Sequence, residues 1–176
     1  MDKDALLVRL AANTQALANA LANVPPQMIE EPGVIGERSI KEVCALLTAW
    51  DGEALRRIDI TTGKQSTPTQ PLNDGQYWAG WAEKQIAIKC VMPVQGILVD
   101  LIGTRQRLLS RVAELNQFQI ERWFDFDPQA TQPHFDQYLA QILAWRAGWD
   151  ETNPTPTRLK KWWQGLKQRL RTGQSH

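Results

Sequence analysis

The sequence predicts an all-α fold, an antiparallel four-helix bundle extended by a basic amphipathic helix at its C-terminal side. Three observations predict it. Apolar residues recur at alternating three- and four-residue spacings through the long stretches of the chain, the period of one helix face. No hairpin dipeptide stands between alternating apolar runs, so strand pairing has no turn signal. With 43% hydrophobic and 22% charged residues over 176 positions, the chain can bury a core of one domain. Residues 1–153 are assigned to the bundle and 154–176 to the extension.

The first helix carries Leu7, Leu10, Thr14, Leu17, Leu21 and Val24 on one stripe and ends near Pro25. Residues 25–38, with Pro25, Pro26, Pro32, Gly33 and Gly36, read as an ordered loop. Ser39 with Glu42 three positions on forms a capping-box pattern, so the second helix starts near Ile40. Its stripe is Ile40, Val43, Leu47, Trp50 and Ala54, flanked by Cys44 and Leu46. Asp59 to Gly75 reads as a loop long enough to be functional. A third helix runs from Gln76 to Cys90 with Trp78, Trp81, Ala82 and Ile86 toward one side. Pro93 suits the first turn of a fourth helix, whose stripe is Val94, Leu98, Leu101, Arg105, Leu108, Val112 and Leu115. Phe118 to Pro128 reads as an aromatic, acidic connection folded over one end of the bundle. Thr131 caps a fifth helix with Pro133 in its first turn and Phe135, Tyr138, Leu139, Ile142, Trp145 and Trp149 on its apolar face. Pro154 and Pro156 then break the chain before the basic helix, Thr157 to Arg171.

Several function classes are excluded by composition. A net charge of +1 makes no nucleic-acid partner expected for the chain as a whole. Two cysteines, Cys44 and Cys90, rule out a cysteine-rich zinc module or a multi-bridge scaffold. The acidic start and the polar, proline-broken run Ala11 to Ile29 predict neither a signal peptide nor a membrane span, so cytoplasmic residence is expected. His134 and His176 are the two histidines, too few for a His-rich metal site. Gly-rich phosphate loops, a Gly-x-Ser-x-Gly elbow and Cys-x-x-Cys are absent, so no cofactor is expected and catalytic residues are not assigned.

Three constellations remain. Arg105 sits among aliphatic stripe residues, where a guanidinium needs an acidic partner, a bound anion or a route to solvent; the expectation is that it pairs with a carboxylate, or that its methylenes cover the stripe and the head reaches water. His134 and Tyr138 stand one turn apart and present an imidazole and a phenol together, toward a pocket or as helix-end packing. Trp50, Trp78, Trp81 and Trp145 fall on or near inward stripes, where tryptophans fill cores or line pockets. Cys44 has no neighbouring cation and is expected to be inert.

The segment Pro32-Gly-Val-Ile-Gly-Glu-Arg-Ser-Ile-Lys-Glu-Val-Cys-Ala-Leu-Leu-Thr-Ala-Trp50 resembles a stretch of the DinB/DfsB superfamily of bacterial four-helix-bundle proteins. The paired-proline loop, Trp81, the Leu98 to Leu115 helix and His134-Phe-Asp-Gln-Tyr-Leu-Ala-Gln-Ile-Leu-Ala-Trp145 follow in the same order. The resemblance covers roughly residues 4–150. Many members hold a divalent metal through three histidines, and the matching positions here are Leu46, His134 and Tyr138. With two ligands replaced, the resemblance implies a metal-free protein nearer the DfsB-like branch, which includes proteins that protect cells from reactive metabolites.

The expected function is binding, and in one version hydrolysis, of a small reactive molecule in a pocket at Leu46, Trp50, Trp81, Arg105, His134 and Tyr138. The alternative is a non-catalytic interaction protein acting through a homodimer face or the basic helix. That helix holds Arg158, Lys160, Lys161, Lys167, Arg169 and Arg171, and without these six the chain has a net charge of −5. Leu159, Trp162, Trp163, Leu166 and Leu170 give it an apolar face. It is expected to dock on the acidic bundle, with an anionic membrane surface as the competing partner.

Overall fold

Ser39 and Glu42 form the capping box that their spacing predicts. The Glu42 N–H donates to Ser39 Oγ at 3.1 Å, and the Ser39 N–H donates to Glu42 Oε2 at 2.7 Å. The computed structural model describes residues 2–64, 66, 75–126 and 132–152. Its helices are α1 (Lys3–Leu21), α2 (Pro26–Glu30), α3 (Ile40–Thr61), α4 (Gly75–Lys89), α5 (Val94–Glu114), α6 (Gln117–Phe126) and α7 (Gln132–Thr152). The chain is all-α, with no strand among the described residues. No helix among those residues is long and apolar enough to cross a membrane. Thr131, most of the Asp59 to Gly75 loop and the basic C-terminal helix lie outside the described residues.

Two expectations about connections are corrected. The loop after α1 contains α2, because Pro26 stands at the first helical position, where its fixed φ and missing N–H favour a helix start. The aromatic connection after α5 is largely the helix α6. Asn116 opens it by a second capping box: its side chain accepts from the Gln119 N–H at 2.9 Å while Gln119 Oε1 accepts from the Asn116 N–H at 3.0 Å. Ile120 and Trp123 of α6 are buried with Ala54, Ile58, Leu108 and Val112.

The stripes shift in detail. On α1 Leu6 is buried and Leu7 only partly, and the helix stops at Leu21, with Val24 buried beyond it. Ile97 joins Val94 and Leu101 on α5, while Leu98 is partly buried, and Pro93 precedes the helix as its N-cap. α3 is buried on every side from Val43 to Asp51, since α2, α4, α5, α6 and α7 all pack on it.

Polar contacts fix the helix directions. Asp51 and Asp59 of α3 pair with Arg105 and Arg111 of α5, so these two helices run parallel. α4 returns the chain between them, with Ile86 beside Leu46 and its end tied to α5 by Lys89 Nζ to Asp100 Oδ2 at 2.7 Å. Asp136 of α7 meets Arg9 and Asn13, and Arg146 Nη1 donates to the Ala20 and Ala22 carbonyls, so α7 runs parallel to α1. The expected antiparallel order therefore fails for α3 with α5 and for α1 with α7. The cause is α4, which spends one reversal outside the α1, α3, α5, α7 group.

Candidate functional site

Trp78 and Trp81 are three apart on α4 and both face Trp50 of α3, with ring centroids 5.2 and 4.8 Å from it. The His134 imidazole also lies stacked on Trp50, at 4.7 Å and tilted by 10°. Leu46 and Ile86 close the cluster, and Tyr138, one turn after His134, packs against it. The structure thus brings Leu46, Trp50, Trp81, His134 and Tyr138 together. Trp145 stands apart, stacked on Trp149 at 6.2 Å. Burial pulls the His134 pKa below its ordinary value, so the ring is neutral at neutral pH.

Arg105 belongs one layer deeper. It is 1% exposed, so of the two expected outcomes the head takes a carboxylate partner and does not reach water. Nη1 donates to Asp51 Oδ1 at 2.6 Å, Nε to Thr14 Oγ1 at 3.4 Å, and the guanidinium lies 3.8 Å over the Phe135 ring. Four helices therefore meet at this ion pair. A charge this deep persists because a carboxylate and an aromatic face replace the lost water. Removal from water pushes the Asp51 carboxyl up to about 6 despite the guanidinium beside it. The same desolvation lowers Arg105 from its ordinary value. Asp51 Oδ2 and Arg105 Nη2 have no hydrogen-bond partner among the described residues. Asp51 was not singled out from sequence, although a stripe arginine requires an acid on a facing helix.

A cleft of about 490 Å³ opens beside Tyr138, lined by Ile35, Glu37, Arg38, Glu42, Glu83, Gln137, Tyr138 and Gln141. Of the six residues expected in a pocket, Tyr138 alone lines this one. The 25–38 loop supplies Ile35, Glu37 and Arg38, held by paired backbone hydrogen bonds between Ile35 and Arg38 at 2.9 and 3.1 Å. Gly33 and Gly36 allow that turn, with φ of 79° and 64°. Arg38 pairs with Glu83 of α4, and this contact raises the Arg38 pKa. Glu37 is exposed and makes no ion pair among the described residues. The lining carries three carboxylates against one guanidinium. Sequence reasoning passed over Glu37, Arg38 and Glu83 because charged residues carry no apolar periodicity.

Cys44 is fully buried and its thiol is pushed up to about 12 by desolvation, as its inert reading requires. At the three positions that match the superfamily's metal ligands, Leu46 offers no lone pair and Tyr138 only a phenol. These donors do not fit a divalent transition metal, whatever the approach of His134. Among the described residues no three His, Cys, Asp or Glu side chains converge on a point that could hold a metal ion. Comparison with known proteins finds no matching family model, no matching curated protein and no matching solved structure.

Proposed function

We propose that this chain is a DinB/DfsB-like four-helix bundle of α1, α3, α5 and α7 that binds a small reactive molecule without a metal. One observation carries the reading: Tyr138 belongs both to the Trp50, Trp78, Trp81 cluster and to the lining of the 490 Å³ cleft. An aromatic wall adjoining a few fixed polar groups is the usual build of a small-molecule site. The amides of Gln137 and Gln141 and the Tyr138 hydroxyl supply hydrogen bonds. If the bound molecule is hydrolysed, the neutral His134 imidazole one turn away is the group suited to take up a proton.

Saturation-transfer NMR against a library of small polar compounds, with activated esters, lactones and epoxides included to read turnover, tests this. Hits should be lost in a Tyr138→Ala, Gln141→Leu variant that still melts cooperatively. Hits that survive both substitutions would place the site elsewhere.

An interaction role draws on a different observation. Ile88, Val91 and Val99 are 55%, 83% and 71% exposed, and Ile88 and Val99 are the sequence neighbours of the paired Lys89 and Asp100. Such a face suits a second copy of the chain. Sedimentation equilibrium of the Val91→Lys, Val99→Lys variant beside the unaltered chain decides it: a dimer that becomes a monomer favours this reading.

A further inference from the structure

The ion pair at the centre of the molecule satisfies only part of its own hydrogen-bonding capacity. Asp51 and Arg105 are each 1% exposed, and among the described residues no group hydrogen-bonds Asp51 Oδ2 or Arg105 Nη2. Native interiors leave few such atoms, because a buried polar group without a partner gives up its hydration and gains nothing in return. The polar side chains around the pair are engaged elsewhere. Asp136 acts on the Arg105 charge, but its carboxylate is held by Arg9 and Asn13. Thr48 donates to the Cys44 carbonyl at 2.8 Å, and Thr104 accepts from Arg107 at 2.9 Å.

The contact that the pair does make brings the two unsatisfied atoms near each other. Oδ2 shares a carbon with Oδ1 and Nη2 shares one with Nη1, and Nη1 donates to Oδ1 at 2.6 Å. On the same planar group Nε donates to Thr14 Oγ1 at 3.4 Å. Nη2 is therefore flanked by one contact to α3 and one to α1, while the Phe135 ring of α7 lies 3.8 Å from the central carbon of the guanidinium.

Charge and space narrow what can join them. Arg105 repels a cation and Asp51 an anion, so the group that fits is neutral and both donates and accepts. Side chains this deeply buried in a packed interior admit nothing larger than water. Water also serves either form of the Asp51 carboxyl, donating to the carboxylate and accepting from the acid. Thr14 Oγ1, which donates to the Leu10 carbonyl at 2.7 Å, keeps a lone pair for one more hydrogen.

We propose that one water molecule is bound where α1, α3, α5 and α7 meet, accepting from Arg105 Nη2 and donating to Asp51 Oδ2 and Thr14 Oγ1. Its hydrogen bonds then number about three, the usual count for a buried water. The water closes the one-point contact of Asp51 with Arg105 into a ring and ties α1 to it. This site belongs to the fold and is independent of whether the cleft beside Tyr138 takes a ligand.

Oxygen-17 relaxation dispersion of the solvent counts the waters that stay in the full-length chain longer than the chain takes to tumble. The Asp51→Leu, Arg105→Met variant is expected to hold one long-lived water fewer than the unaltered chain. In the unaltered chain a nuclear Overhauser cross-peak should connect water with the Arg105 Nε proton, carrying in the rotating frame the sign of a dipolar contact and not that of hydrogen exchange. The cross-peak locates the water without any substitution, and Asp51→Asn, whose amide oxygen still accepts, should keep it. An equal count in the double variant would overturn the proposal, as would a cross-peak that is absent from the unaltered chain or has the exchange sign.

Discussion

At the scale of single residues, the pair Asp51 and Arg105 sets the sharpest expectations. Both side chains are 1% exposed, and truncating one member strands the other in the core at a cost of about 3–5 kcal/mol. Arg105→Met should therefore shift urea denaturation strongly, whereas Asp51→Leu combined with Arg105→Met should be neutral or stabilising. Were Arg105→Met alone near neutral, the pair would not be holding the core. The sign of the pH effect is also fixed. The folded carboxyl of Asp51 lies near 6, above the 3.8 of a free aspartate, so folding favours its protonated form. Its contribution is fully present below about pH 4 and is lost as pH rises through 6. Acidifying from pH 7.5 to 5 should raise the stability of the unaltered chain relative to Asp51→Asn, by on the order of 1 kcal/mol. His134, whose pKa burial lowers, loses stability on acidification in the same window, but it does so in both proteins and cancels in the comparison.

At the scale of elements, helix beginnings govern what forms. Ser39→Ala removes one half of the α3 capping box and should cost about 1 kcal/mol in thermal or denaturant melts. α6 depends instead on packing: Trp123 is 4% exposed, and Trp123→Ala should cost about 3–5 kcal/mol, with the loss of helicity confined to α6. An exposed Trp123 would cost far less. These elements also mark how far the sequence could be read. The long helices were legible because their apolar stripes repeat over five or six turns and because Ser39 and Glu42 advertise a start. α2 and α6 escaped because five and ten residues hold too few turns for periodicity. Their signals were local instead, Pro26 at a first helical position and the Asn116, Gln119 capping box. The aromatic cluster was legible because Trp50 and Trp81 lie on or near inward stripes and His134 stands one turn from Tyr138. Its neighbour Asp51 was not, because an acid between Trp50 and Ala54 looks like ordinary helix surface until a facing arginine is known.

At the scale of the whole molecule, the two thiols report on cooperativity. Cys44 is fully buried with its pKa near 12, and Cys90 is partly exposed. A disulfide-exchange reagent at pH 8 should label Cys90 readily and Cys44 only at the rate of global opening. Two equally fast thiols would show that the end of the core at Ile40 to Leu47 opens on its own. The directions of the helices could not have been read from the chain, since periodicity says which face is buried and nothing of what it faces. Those directions have a consequence for synthesis. Arg9 and Asp136 are 127 positions apart, and α1 lies directly against α7. A chain emerging from the ribosome can pair α3 with α4 and α5 early, because those contacts are closer in sequence. It cannot close the groove on α1 until the last described helix has cleared the exit tunnel. Until then Leu10 and Leu17 lack their final neighbours, and the unfinished chain has to be kept from sticking to others like it.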